Sequence, residues 1–178
     1  MSFEIDASEW LNTDEPLSLP ALRGRVVLVT AFQMLCRGCA TLSLPQARNL
    51  HLTFSRDDLV VIGLHSVFEH HHVMTPDALR AFVHEYRLPF PIAIDRALEG
   101  SVLPQTMQAW ALEGTPTLMV FDRDGELVLQ HFGHLDDLRL GALLGGLIER
   151  QPGASQDGAA QVPAWRPGAD AGAVCIPI

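Results

Sequence analysis

Cys36-Arg37-Gly38-Cys39 follows the apolar run Val26-Val27-Leu28-Val29-Thr30-Ala31-Phe32. Two cysteines three apart, placed where a buried strand gives way to a helix, can make and break a disulfide. A cysteine at a helix start faces unpaired backbone N–H groups and the positive end of the helix dipole, and both favour the reactive thiolate. Its partner, one helical turn on, closes the ring and releases a mixed disulfide. Thr115-Pro116 stands just before another apolar run, Leu118-Met119-Val120-Phe121. Proline in a sheet is confined to edges and strand starts. A cis proline there would hold backbone against the dithiol; an ordinary Gly114-Thr115-Pro116 turn is the competing reading. Arg37 sets a fixed positive charge beside Cys36, which favours its thiolate and pushes the pair toward oxidant behaviour. Pointing into solvent, the same charge is mostly screened.

The rest of the chain bounds what such a dithiol serves. The 178 residues suit one domain over 1–150 and a tail over 151–178 rich in Pro, Gly and Ala. With 48% hydrophobic and 19% charged residues there is ample material for a buried core. A net charge of −9 disfavours nucleic acid and anionic membrane as partners. No apolar segment approaches the roughly 18–20 residues that cross a bilayer. Met1-Ser2-Phe3-Glu4-Ile5-Asp6 lacks the basic and apolar regions of a secretory signal, so a cytoplasmic address is the expectation. Three cysteines are too few for a secreted disulfide framework, and in a reducing compartment C-x-x-C is redox-active or metal-binding. With no Gly-rich phosphate loop, neither nucleotide nor flavin is expected; the cofactor is the chain's own dithiol.

The positioning elements read as alternating strands and helices. Trp10-Leu11-Asn12 and Leu17-Ser18-Leu19 are expected to form a short hairpin around Asp14-Glu15-Pro16. A strand over about 26–32 is apolar throughout, as both-face burial requires. A helix from Cys36 to about Phe54 is kinked or restarted at Pro45. Leu59–Leu64 is a second buried strand, and Thr75-Pro76-Asp77 starts a helix to about Arg87 with Leu79, Phe82, Val83 and Tyr86 on one face. A short strand follows at Pro91–Asp95, then a helix over Pro104–Glu113 stopped by Gly114. Strands at 118–121 and 126–130 flank the turn Asp122-Arg123-Asp124-Gly125, and a last helix spans about Asp136–Arg150. The order implies an α/β fold with a mixed sheet covered on both faces. In the tail, Trp165 and Val174-Cys175-Ile176-Pro177-Ile178 stand out as apolar; the tail is either disordered or docked through that end.

With these features in place the chain resembles the thioredoxin superfamily. It is most similar to the redoxin branch, with TlpA/ResA-type disulfide reductases and AhpC/TSA-type proteins. The matching residues run from about 9 to 149: Trp10-Leu11-Asn12, Pro16-Leu17-Ser18-Leu19, Leu22-Arg23-Gly24-Arg25-Val26-Val27-Leu28-Val29, Cys36-x-x-Cys39, Val61-Ile62-Gly63-Leu64-His65-Ser66 with Glu69, and Gly114-Thr115-Pro116-Thr117. The gap of 77 residues from Cys39 to Pro116 leaves room for the redoxin branch's extra strand and helix. The resemblance implies a thioredoxin-like fold, a cis Pro116, attack by Cys36 and resolution by Cys39, with the mixed disulfide held beside Thr115-Pro116. It departs from the family at Leu35, where an aromatic is usual, and at Thr30, where thioredoxin has a buried aspartate. Proton transfer then falls to water or Glu69. Pro45 lies six residues after Cys39 rather than five.

The expected activity is thiol–disulfide oxidoreduction on a protein or small disulfide, with a thioredoxin- or glutathione-type reductant for recycling. A thiol peroxidase is the nearest competitor. Peroxiredoxins need Pro-x-x-x-Thr/Ser-x-x-Cys, and here Val29 and Gln33 fill the first two places. A copper or zinc carrier would use the two cysteines and a histidine. His65, His70, His71 and His72 crowd one segment and His131 and His134 another. A solvated surface tract is the commoner origin of such a run as His70–His72, and His65, ending its strand, is expected within reach of the dithiol. Cys175 is either an ordinary apolar tail residue or a third redox thiol that reaches Cys36.

Overall fold

The computed structural model describes residues 3–150 and 175–177. Its centre is a six-stranded mixed sheet. In chain order the strands are β1 (Ala7–Leu11), β2 (Val26–Phe32), β3 (Leu59–His65), β4 (Ile92–Asp95), β5 (Thr117–Phe121) and β6 (Leu127–Phe132). Across the sheet they run β1-β4-β3-β2-β5-β6. β4, β3 and β2 are parallel, while β1 and the β5–β6 hairpin pair antiparallel at either side.

The uniformly apolar sequence of β2 has a direct cause: all seven residues are buried. Side chains alternate across a strand, so Val26, Leu28 and Phe32 join one core and Val27, Val29 and Ala31 the other. The first core is closed by α1 (Leu44–Thr53), α2 (Pro76–Glu85) and α4 (Asp137–Glu149), through Leu44, Leu79, Val83, Leu140 and Leu144. The second is closed by α3 (Gln105–Ala109) with Trp110, and by a 3-10 turn at Leu19–Leu22. Helices begin where the sequence marks them. The Thr75 hydroxyl accepts from the Ala78 N–H at 3.3 Å, and the Asp136 carboxylate from Leu138 and Arg139 N–H groups at 3.0 and 3.2 Å.

Two expectations need correction. The N-terminal hairpin does not form; β1 pairs instead with β4. Asn12 adopts φ 59°, and its side-chain amide donates to the carbonyls of Leu88 and Phe90 at 2.8 and 3.0 Å, tying the end of β1 to the approach of β4. Pro16 and Pro20 have no N–H to offer a return strand, and Pro20 sits in the 3-10 turn. Second, α3 ends at Ala109, not at Glu113 with Gly114 as its stop. Ala111 takes the left-handed conformation at φ 52°, and the Leu112 N–H donates to Met107 O at 3.0 Å, a Schellman closure without glycine. The restart expected at Pro45 is present: α1 begins at Leu44 with Pro45 in its first turn, after a change of helical register. The helical segment after the dithiol opens with a π turn at Cys39–Ser43, where the Leu44 N–H reaches back to Cys39 O. A π turn takes one residue more than an α turn, and this accommodates a Pro45 that lies six residues after Cys39 rather than five. Among the described residues nothing lies close to Gly141, Gly145 or Gly146 of α4, so there they weaken that helix without serving a close approach.

Candidate active site

The site forms where β2 ends. On one side its parallel neighbour β3 ends level with it, Phe32 opposite His65; on the other the antiparallel β5 begins, Thr117 opposite Ala31. The chain leaving β2 and the chain entering β5 therefore meet at one sheet end. Cys36 and Cys39 come from the first, Thr115 and Pro116 from the second, and the Thr115–Pro116 bond is cis.

Both cysteines are buried and neither is in a disulfide. The Cys39 backbone N–H donates to the Cys36 sulfur at 3.4 Å, and the Cys36 thiol donates to the Thr115 carbonyl at 3.5 Å. The Cys36 pKa is lowered to about 6. Its largest cause is the hydrogen bond from the Cys39 thiol; the Cys39 N–H and the side chains of Cys175 and Thr115 add to it, and burial opposes it. Cys39 moves the other way. Burial, then the hydrogen bond and negative charge of Cys36, hold its proton far above the ordinary thiol range. One sulfur thus favours the thiolate, the form that can attack a disulfide, and the other its protonated form.

Arg37 is exposed and is not among the groups that lower Cys36; backbone and sulfur contacts carry that shift. Glu69 is half-buried, and its charge acts on Cys175. His65 is buried with its ring 5.2 Å from Phe32, its pKa pushed down to about 3 by burial, and neither ring nitrogen has a hydrogen-bond partner among the described residues. His70, His71 and His72 are exposed. Among the described residues, no three His, Cys, Asp or Glu side chains are grouped so as to hold a metal ion. Of the tail, Trp165 and the expected disorder lie outside the described residues. Cys175 lies within them: its N–H donates to Thr115 O at 2.6 Å and its carbonyl accepts from Thr115 N at 2.8 Å.

Two supporting residues escaped the sequence reading. The Gln33 carboxamide oxygen accepts from the N–H groups of Phe68 and Glu69 at 3.1 and 3.3 Å, and its own carbonyl accepts from Cys36 N at 3.2 Å. It fastens the loop after β3 to the cysteine turn. Asp95 accepts from the Ser66 hydroxyl at 2.8 Å and from Thr106 and Met107 N–H groups at 2.8 and 3.0 Å, joining that loop to α3. Neither has a local motif; the only signal is a polar residue inside or closing an apolar strand run.

Comparison with known proteins agrees with this architecture. Residues 2–130 match the AhpC/TSA family. A thiol-disulfide isomerase from Corynebacterium glutamicum superposes with a TM-score of 0.81 at 47% identity, covering 85% of this chain and 97% of that one. A thioredoxin-like superfamily protein superposes with a TM-score of 0.80 at 43% identity, covering 83% and 95%. NHL repeat-containing protein 2 of Homo sapiens is 32% identical over 138 residues, 74% of this chain but 18% of the human protein. The chain thus spans less than a fifth of that curated relative. The family match over most of the domain and the shared fold agree: this chain belongs to the AhpC/TSA family, within the redoxin branch of the thioredoxin superfamily.

Proposed function

We propose that the protein is a thiol–disulfide oxidoreductase whose working group is the Cys36–Cys39 dithiol. The observation that carries this reading is the placement of Cys36 Sγ 3.4 Å from the Cys39 N–H and 3.5 Å from the Thr115 carbonyl that precedes the cis Pro116, with Cys36 shifted toward thiolate and Cys39 away from it. The name of the Corynebacterium neighbour, 47% identical over nearly its whole length, supports it.

The Cys36 thiolate attacks one sulfur of a substrate disulfide R–S–S–R′. A Cys36–S–S–R bond forms and R′–S⁻ leaves. Cys39 then gives up its proton and attacks Cys36 Sγ, so the Cys36–Cys39 disulfide forms and R–S⁻ leaves. The substrate has gained two electrons, the leaving thiolates take up protons, and a thiol reductant of glutathione or thioredoxin type restores the dithiol. Thr115 and Pro116 flank the substrate sulfur, and with Thr30 offering no acid the Cys39 proton passes to water or to Glu69. A peroxidase role is disfavoured by Gln33, whose carboxamide oxygen is already engaged by two N–H groups where a peroxide-orienting hydroxyl would be needed.

The test uses Cys175→Ala as background, so that only two thiols remain. C36S should lose all disulfide exchange, and C39S should accumulate a mixed disulfide at Cys36. Exchange that survives in C36S would remove the proposal.

A further inference from the structure

We propose that Cys175 is a third redox-active thiol, which resolves disulfides formed at Cys36 by closing a Cys36–Cys175 bond in competition with Cys39. The proposal rests on the reading of Cys36 as nucleophile and adds a second resolving group to it.

Three observations bring Cys175 to this place. Its backbone makes a two-bond antiparallel bridge with Thr115, at 2.6 and 2.8 Å, on the residue that precedes Pro116. This is the backbone beside which a substrate sulfur must lie to reach Cys36, because the Thr115 carbonyl is also 3.5 Å from the Cys36 sulfur. Independently, Gly114 leaves no room for a side chain: a Cβ there would collide with the Cys175 carbonyl oxygen. The seat for the terminal segment is therefore cut into the loop that carries Thr115. Finally, Cys175 is among the groups that lower the Cys36 pKa and Cys36 among those that raise the Cys175 pKa, in keeping with the placement of both residues on the Thr115 carbonyl.

The step is redox-neutral once a mixed disulfide exists. The Cys175 thiol loses its proton and its sulfur attacks Cys36 Sγ of Cys36–S–S–R. The Cys36–Cys175 bond forms, R–S⁻ leaves and takes up a proton. Burial and the charges of Cys36 and Glu69 push the Cys175 pKa up to about 12, so the attack is favoured by proximity rather than by ionisation. A tethered group acts at an effective concentration of the order of millimolar or more.

The full chain carrying C39S, treated with oxidised glutathione, tests this directly. Cys36 takes up glutathione, and the inference predicts that the adduct then decays with release of glutathione and appearance of a Cys36–Cys175 cross-linked peptide. In C39S with C175A the adduct should persist, decaying at least about tenfold more slowly. Wild type, which needs no substitution, should yield some Cys36–Cys175 peptide beside Cys36–Cys39 when acid-quenched early. A glutathione adduct equally stable in both variants, with Cys175 freely alkylated, overturns the role of Cys175 and leaves the Cys36 chemistry standing. Failure of either variant to take up glutathione overturns both.

Discussion

The N–H of Cys39 lies 3.4 Å from the sulfur of Cys36, so the residue proposed to resolve the disulfide also touches the sulfur proposed to start it. The Cys39 thiol is the largest cause of the lowered Cys36 pKa, and this N–H adds to it. Reactivity is thus built into the first turn after β2 rather than supplied by a distant base.

A pH profile should expose this coupling. Alkylation of Cys36 in the C175A protein should rise with pH around a midpoint somewhat above 6, because the smaller Cys175 contribution is gone. Replacing Cys39 by Ala removes the largest stabilising contact, so the midpoint should move up toward the ordinary thiol value. An unchanged midpoint would mean that something other than Cys39 ionises Cys36.

Arg37 gives a contrasting case. Because it is exposed and outside the set of groups acting on Cys36, Arg37→Ala should move the same midpoint by less than about half a unit. A larger upward shift would restore the charge-based explanation that the sequence alone invites.

Gln33 is predicted to matter for stability through the loop it fastens. Gln33→Leu leaves the Phe68 and Glu69 N–H groups without their acceptor. The cost should be about 1–3 kcal/mol, read from the urea midpoint at unchanged slope. A neutral substitution would show that the loop finds other partners.

His65 should make the fold acid-sensitive. Burial pushes its pKa down to about 3 from the ordinary 6.5. Between those values the unfolded chain binds a proton that the folded chain refuses, so stability rises with pH there and is lost as pH falls. His65→Leu should flatten this dependence by about 1.4 kcal/mol per pH unit, seen in urea midpoints between about pH 4 and 6. An unaltered slope would place the acid sensitivity elsewhere.

Much of the fold was legible because local pattern and burial coincide. The seven apolar residues of β2 announce a strand covered on both faces, and Thr75-Pro76 announces the start of α2. The errors arise where a long-range partner decides. Asn12 ends β1 by bonding to carbonyls 76 and 78 residues away, which no hairpin rule anticipates. Ala111 supplies a left-handed helix end that the sequence assigns to the nearby Gly114, while Gly114 is needed for the approach of Cys175. The dithiol and Thr115-Pro116 were visible as motifs. The anchoring by Gln33 and Asp95 was not, since both act across the sheet end on groups distant in sequence.

The central claim is that Cys36 and Cys39 form one reversible redox pair. Equilibrating the C175A protein across a glutathione redox series and mapping its disulfides at each point tests it most directly. The account predicts a single two-electron transition in which both thiols disappear together and one Cys36–Cys39 peptide appears. Thiols that stay free throughout the series, or only glutathione adducts at Cys36 with Cys39 still reduced, would contradict it.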